Sequence, residues 1–465
     1  MKLPGILRME KGFYRNMAGL ALPLVLQNLI TESLALVDTF MVGALGESQL
    51  AGVTAANIPI FVIALFIFGV QSGCTVLISQ YWGKGDTESI GRVLGMGFYT
   101  AGAVSTAFAL LLFFASRPFL GLFCNDPVVA AYAAQYGRIV GFSYILNSVT
   151  QVYIGAHRSM GNPRLGLGIL AVSMCANTFL NWVFIFGNLG APRLGVEGAA
   201  LGTLLARVLE FCVMLVYAVS NRRFRPKLRN VLRPGRAIAA RFVRFATPVI
   251  LNETLWGLGT SLYPTIMGHM AGAQEILAAY AVAGNVEKIC TVAIFAVAAT
   301  AAILVGQAVG AGERERAYKV GGAMDALASL LGLVIGGGAI VLLYTLAPRY
   351  LYPAVNLSPR AGDITTMMLT VTFATLFLRA FNSTNVVGVL RGGGDVTTAS
   401  IIDLAFLWVV SLPLAALAGL VLKLDVLWVY LVLALEQSLK VIFGLHRYRS
   451  GKWIRDVTVS GGNGT

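Results

Sequence analysis

The chain of 465 residues is 57% hydrophobic and only 12% charged, and its mean hydropathy is +0.76. Soluble domains usually carry about 25% charged residues, so this composition excludes an ordinary soluble protein. Apolar stretches long enough to cross a hydrocarbon core of ~30 Å as helices recur along the whole chain, without the alternating pattern of a transmembrane barrel. The composition therefore predicts an all-α integral membrane protein.

The net charge of +14 has two interpretations. A basic balance suits a nucleic-acid partner, but basic residues also gather in the cytoplasmic loops of membrane proteins. We therefore expect no nucleic-acid partner. The five cysteines lie mostly within apolar stretches, and their spacing suits neither a zinc site nor a disulfide framework.

Twelve transmembrane helices are predicted from the apolar stretches. In chain order they span residues 17–42, 53–81, 91–116, 131–156, 165–187, 195–220, 242–269, 277–309, 319–346, 362–389, 398–420 and 425–447. With the N-terminus inside, the cytoplasmic segments and the adjoining cytoplasmic ends of the spans hold 25 of the 35 Lys and Arg residues. This asymmetry predicts a multi-pass protein of the plasma membrane with both termini in the cytoplasm.

The two halves of the sequence resemble each other. Matched blocks pair Pro23 with Pro248 at an offset of 225, and later blocks follow in the same order at slightly larger offsets. The further pairs are Gly43 with Gly268, Gln80 with Gln307, Gly83 with Gly310, Gly85 with Gly312, Gly155 with Gly388 and Arg158 with Arg391. Each half crosses the membrane six times, so the halves share one orientation. Two tandem lobes around a central cavity are typical of transporters.

This repeat defines the predicted domains. Helices 1–6 form an N-lobe at residues 1–220, and helices 7–12 form a C-lobe at residues 242–447. A basic cytoplasmic linker at residues 221–241 joins them, and residues 448–465 form a cytoplasmic tail. The glycine-rich "RGGGD" after helix 10 lacks the Lys-Ser/Thr of a phosphate-binding loop, so we interpret it as a turn between helices.

Polar side chains within the N-lobe helices concentrate near one acid. Asp38 lies inside an apolar run without a basic residue one turn away on its own helix. Asn177 and Asn181 share one face of helix 5, and Thr203 lies near the start of helix 6. A carboxylate, two amides and a hydroxyl suit a small hard cation such as Na⁺, or a proton relay. The same amides could instead only tie helices together by hydrogen bonds.

The C-lobe has its own candidates. Glu253 is a second acid without a basic residue one turn away, whereas Glu436 and Lys440 are spaced as an ion pair, as are Arg207 and Glu210 in the N-lobe. Further polar residues are candidates to face a substrate cavity between the lobes. They are Asn28, Asn147, Gln151, Tyr263, Asn382 and Asn385.

Five segments resemble the multidrug and toxic compound extrusion (MATE) family of cation-coupled exporters. They read "VDTFMVGALG", "GAHRSMGNP", "NTFLNWVFIFG", "GVEGAALGT" and "GVLRGGGD". The resemblance covers residues 13 to 447. It implies a V-shaped pair of lobes that rock between inward-open and outward-open states, with an inward gradient of Na⁺ or H⁺ driving the efflux of amphipathic, often cationic compounds.

The resemblance also assigns residues. Asp38, Asn177, Asn181 and Thr203 fall where the N-lobe cation site of the family lies, although many members have Asp at the position of Asn181. One branch has a second site with Glu in helix 7 and Asp in helix 10. Glu253 matches the first of these approximately, and helix 10 offers Asn382 instead of Asp.

We therefore expect a monomeric secondary antiporter that exports amphipathic or cationic small molecules, with membrane lipids around it. No cofactor is expected beyond the coupling ion, H⁺ or Na⁺. The alternative is a flippase for lipid-linked precursors of the same superfamily, whose cavity would need several Arg or Lys residues. An enzyme is not expected, because the three histidines are scattered at loops and helix ends.

Overall fold

The computed structural model describes residues 9, 11–124, 126–221, 224–355 and 357–459. Its described part is helical throughout and contains no β-strand, which confirms the all-α prediction. The helices of the first half are α1 (Lys11–Gly43), α2 (Glu47–Lys84), α3 (Thr87–Leu120), α4 (Pro127–Ser159), α5 (Arg164–Phe186) and α6 (Val196–Ser220). A 3₁₀ turn, Asn188–Gly190, lies between α5 and α6, and the short α7 (Leu228–Leu232) follows α6.

The second half is more irregular. Its α-helices are α8 (Arg236–Thr260), α9 (Leu262–Gly268), α10 (Ala273–Gly310), α11 (Arg314–Thr345), α12 (Tyr352–Ala354), α13 (Pro359–Ala374), α14 (Leu376–Asn382), α15 (Val396–Ala405), α16 (Leu412–Ala416) and α17 (Val426–Arg449). Four π-helical stretches lie among them, namely Ala347–Leu351, Ser383–Leu390, Phe406–Ser411 and Leu417–Val421.

The described helices cover the predicted spans, but two of the spans are not single straight helices. Ten are long and apolar enough to cross a membrane, and an eleventh is formed by Pro359–Ala374 with Leu376–Leu390, which is bent by 50°. The predicted seventh span is also helical, but it is divided into α8 and α9 at Ser261. The structure thus agrees roughly with twelve helices, since helical structure covers each predicted segment.

The chain divides into two compact units. The first-half unit is Pro23–Ile250, and the second-half unit combines Leu251–Thr465 with Met1–Leu22. These boundaries differ from the predicted lobe boundaries, because they fall inside α1 and α8. Each helix carries one of the matched prolines, Pro23 or Pro248, where a backbone N–H donor is lacking.

The turns reflect the sequence repeat. Gly85 after α2 and Gly312 after α10 are matched in the two halves, and their φ angles are +79° and +80°. This left-handed conformation ends a helix at little cost only when the residue has no Cβ. Asp86 then caps α3 by accepting a hydrogen bond from the Ser89 amide at 3.0 Å. The repeated glycines therefore specify the same turn twice.

The segment after α17 packs onto the "RGGGD" turn. Trp453 is fully buried, and its ring stacks on Tyr448. The Arg455 amide donates to the Gly393 carbonyl at 2.7 Å, and a Cβ at Gly393 would collide with the Trp453 ring. Asp395 pairs with Arg447 at 2.6 Å and with Arg455 at 3.1 Å. We call this arrangement the tail clamp: residues 453–455 held against residues 393–395.

Candidate functional site

Asp38 is joined to α5 by a direct hydrogen bond. The Asn181 Nδ2 group donates to Asp38 Oδ1 at 2.7 Å, and it also donates to Asn177 Oδ1 at 3.1 Å. Asn177 and Asn181 can share this contact because positions four apart lie on one helical face. The second amide thus bridges the acid on α1 and the first amide.

The network continues to α6. Asn177 Nδ2 donates to Thr203 Oγ1 at 3.2 Å, so the four sequence-predicted residues form one chain of hydrogen bonds across α1, α5 and α6. Asn177 and Asn181 are 3% and 1% exposed, whereas Asp38 and Thr203 are half-buried. We call this chain the Asp38 network. It lies entirely within the first-half unit.

One buried oxygen of the Asp38 network has no hydrogen-bond partner among the described residues. Asn181 Oδ1 is buried and accepts no hydrogen bond, and a Cβ at Gly202 would fall against that oxygen. A buried acceptor without a donor is costly and needs an explanation. Together with the Asp38 carboxylate and the Thr203 hydroxyl, it offers oxygen ligands of the kind that Na⁺ takes, so these residues fit a small hard cation.

Two neighbours of the Asp38 network were missed in the sequence. Arg207 lies close enough to Asp38 to attract its carboxylate, and the Tyr136 phenol lies near Asp38 and Thr203. Arg207 also pairs with Glu210, as predicted, and Glu210 accepts from Ser173 at 2.8 Å. A signal for Arg207 existed, because it follows Thr203 by four residues and therefore shares its helical face.

Glu253 is not a lone acid, which corrects the prediction. Its carboxylate forms a hydrogen-bonded ion pair with Arg391, whose side chain is 1% exposed. Sequence spacing can indicate only basic residues that lie one turn away on the same helix. Arg391 lies 138 positions along the chain, on the turn that follows the tenth predicted span. Glu253 is therefore neutralised within the second-half unit.

Two further acids lie away from solvent within the predicted spans of the second half, and both were missed from the sequence. Asp403 accepts from Lys440 Nζ at 2.8 Å and from Asn252 Nδ2 at 3.0 Å. Lys440 contacts Glu436 at 2.8 Å as well, which confirms their predicted pairing. The other overlooked acid, Asp325, is buried and contacts Asn385. The second-half unit is thus richer in buried charge than predicted.

Three of the cavity candidates are buried in helix packing. Tyr263 contacts Ser411 and Glu436, Asn382 donates to Gln437, and Asn385 donates to Asp325. These contacts lie within the second-half unit and leave the three side chains at most 5% exposed. The other three candidates are half-buried in the first-half unit. They are Asn28, Asn147 and Gln151.

The family model MatE matches residues 23–183 and 248–417, which are more than half of the chain. The chain belongs to the MatE family. The two matched stretches correspond to the two halves found by the repeat. MatE proteins are transporters rather than enzymes, so the chain is a membrane-spanning member of a multidrug efflux family.

Relatives of this MatE chain match it over nearly its whole length. The probable multidrug resistance protein YoeA of Bacillus subtilis is 24% identical, with 94% of each chain covered. The probable multidrug resistance protein NorM of Thermotoga maritima is also 24% identical, over 94% of this chain and 93% of the relative. A structure of a variant of the Vibrio cholerae MATE transporter VcmN superposes with a TM-score of 0.84 at 20% identity, covering 95% and 98% of the two chains.

Proposed function

We propose that this MatE protein is a secondary antiporter that exports amphipathic, often cationic compounds in exchange for H⁺ or Na⁺. The observation that supports it is the Asp38 network, in which a carboxylate, two buried amides and a hydroxyl are linked from α1 to α6. An ionisable residue inside a membrane span is costly and is retained for function.

The Asp38 network can hold the coupling ion in two ways. A proton would neutralise the Asp38 carboxylate, and Na⁺ would be bound by that carboxylate together with the unpartnered Asn181 Oδ1. Arg207 limits either binding mode because its positive charge competes for the same carboxylate. Asp38 therefore binds the ion without holding it irreversibly, as an exchange cycle requires.

Coupling follows from differential affinity. If the ion stabilises one conformation and the exported compound stabilises the other, each ligand displaces the equilibrium toward its own state. Alternate opening of the protein to the two sides of the membrane then exchanges the coupling ion for the exported compound. We place both termini in the cytoplasm, because that orientation puts 25 of the 35 Lys and Arg residues inside.

A phosphate-bearing lipid substrate is disfavoured by the pairing of several cations in or next to the predicted spans with carboxylates. Arg207, Arg379 and Arg391 each contact a carboxylate, and Lys440 contacts two. A flippase for lipid-linked precursors would need such cations free to meet phosphate. We therefore favour amphipathic cations as substrates and propose that the protein works as a monomer.

Efflux from proteoliposomes tests this function. We expect Asp38→Asn to abolish gradient-driven efflux of a fluorescent cationic compound, because the neutral side chain can neither release a proton nor bind Na⁺ as a carboxylate. Efflux is measured with a pH gradient alone and then with a Na⁺ gradient alone, which identifies the ion.

The matched control is Glu32→Gln, which neutralises an exposed acid on the same helix. This control should transport normally, and both variants should bind the compound and elute as folded protein. Normal gradient-driven efflux by the Asp38→Asn variant would refute the proposed role.

A further inference from the structure

Asp325 is a buried acid in the second-half unit that the proposed exchange at Asp38 does not use. It lies on α11, and its residue is only 4% exposed. Asn385, which is fully buried, donates from Nδ2 to Asp325 Oδ2 at 2.7 Å. No ion pair to Asp325 occurs among the described residues, and the other titratable groups facing it are Tyr448 of α17 and, beyond it, Tyr318 of α11.

Both side chains keep one oxygen without a partner. Asp325 Oδ1 and Asn385 Oδ1 are buried and accept no hydrogen bond from any residue that the structure describes. Asn385 Oδ1 also lies against Gly444 of α17, where a Cβ would be only 2.7 Å away. Two buried, unpartnered acceptors on side chains that are hydrogen-bonded to each other, one of them an acid, are costly unless a positive charge or a proton satisfies them.

One proton satisfies both oxygens. A protonated carboxyl group has one O–H donor and one carbonyl acceptor, and a primary amide has the complementary N–H donor and carbonyl acceptor. With a proton on Asp325 Oδ1, that O–H donates to Asn385 Oδ1 while Asn385 Nδ2 donates to Asp325 Oδ2. The existing 2.7 Å contact is half of this cyclic pair.

We propose that Asp325 and Asn385 form a second, exchangeable proton-binding site of this protein, in the unit that does not contain Asp38. Release of the proton leaves the Asp325 carboxylate and delivers the proton to water. The use of this site in transport rests on the proposed antiport function, whereas proton binding itself does not.

The irregular backbone around Asn385 suggests how the proton on Asp325 is exchanged. Asn385 lies within the π-helical stretch Ser383–Leu390, which forms the end of the helix pair that is bent by 50°. π-Helical turns are rare and occur frequently at functional sites. A return of this stretch to α-helical geometry would rotate Asn385 away from Asp325 and deprive the acid of its partner. Proton release and a change in this stretch are thus linked.

The fold of the repeat does not require the acid. At the offset of 227 that pairs Gly85 with Gly312, the position matching Asp325 is occupied by Phe98. An apolar side chain therefore occupies the matching position in the first half. Asp325 is a feature of the second half alone.

Infrared spectroscopy of the full-length protein in lipid nanodiscs tests the site. With ¹³C-labelled aspartate at neutral pH, we expect a carbonyl band of protonated aspartic acid that is lost in Asp325→Asn and kept in Asp38→Asn. The band should shift in D₂O because the proton exchanges. In Asn385→Leu it should move to higher frequency, because the carboxyl group loses its amide partner.

Three outcomes overturn the proposal: an unchanged spectrum in Asp325→Asn, a band that does not respond to D₂O, or a band that is removed by added Na⁺, which would make this a metal-cation site. If the Asp325→Asn variant does not fold, the frequency of the carbonyl band in the Asn385→Leu variant tests the proposal instead. Since no transport is measured, failure here is distinct from failure of the antiport function, which Asp38→Asn tests by efflux.

Discussion

Asn181 determines the chemistry available around Asp38. Its amide group donates to both Asp38 and Asn177, and its oxygen remains open as an acceptor. A carboxylate at this position could accept but could not donate, so Asp38 would lose the hydrogen bond that orients it. The side chain at position 181 therefore influences both the number of negative charges in the network and its geometry.

We expect Asn181→Asp to shift the ion preference toward Na⁺. Two carboxylates in place of one favour a bound cation, because like charges at this distance repel unless a positive ion lies between them. Efflux driven by a Na⁺ gradient should rise relative to efflux driven by a pH gradient. Asn188→Asp, beyond the end of α5, is the control and should leave the ratio unchanged. An unaltered ratio in Asn181→Asp would exclude this role.

Lys440 stabilises the second-half unit by holding two acids. It is 3% exposed and contacts Asp403 and Glu436, so its removal leaves two buried carboxylates without a cation. Breaking a buried ion pair typically costs about 3–5 kcal/mol. We expect Lys440→Met to lower the unfolding midpoint strongly in detergent, and Lys440→Met with Asp403→Asn and Glu436→Gln to recover part of the loss. Additive losses would contradict the pairing.

The π-helical stretches and the tail clamp distinguish the second half from the first. The described π-helical stretches all occur after α11, and one of them contains Asn385. The tail clamp fixes the turn that directly follows that stretch, since Asp395 accepts from Arg447 and Arg455. The π-helical stretch that contains Asn385 is thus anchored at its end by residues far along the chain.

The tail clamp should contribute measurably to stability. Truncating a buried aromatic side chain to alanine costs about 3–5 kcal/mol, so Trp453→Ala should lower the thermal unfolding midpoint of the purified protein. Gly393→Ala should act in the same direction because its Cβ meets the Trp453 ring. Trp428→Ala is the control, because Trp428 is 52% exposed on α17. Equal midpoints for Trp453→Ala and Trp428→Ala would rule out a stabilising clamp.

The two halves share their architecture but not their polar chemistry. Matched glycines produce the same turns, and the family match divides into the same two parts. The first-half unit carries the Asp38 network, whereas the second-half unit carries Asp325 and the ion pairs of Glu253, Asp403 and Glu436. The protein has therefore diverged within a repeated fold at the positions that bear charge.

Sequence patterns were sufficient to predict the helices and the residues of the Asp38 network. The helices follow from hydropathy, and the network residues follow from spacing along a helix and from the family resemblance. Some helices were predicted too short, and α1 begins at Lys11 rather than at residue 17, since hydropathy detects only the apolar part of a helix. Glu253 was misjudged because Arg391 lies 138 positions away. Pairings between distant helices leave no local periodic signal.

The second-half unit is formed by two separate stretches of the chain, which affects how the protein folds during synthesis. Pro23–Ile250 is one continuous stretch, so the first-half unit can close as soon as it has left the ribosome. The second-half unit combines residues before Pro23 with residues after Ile250, and its clamp needs Trp453. The first turns of α1 can therefore complete their packing only after residues beyond Ile250 have been translated, and nascent chains that end before that point should depend on insertases and be exposed to membrane proteases.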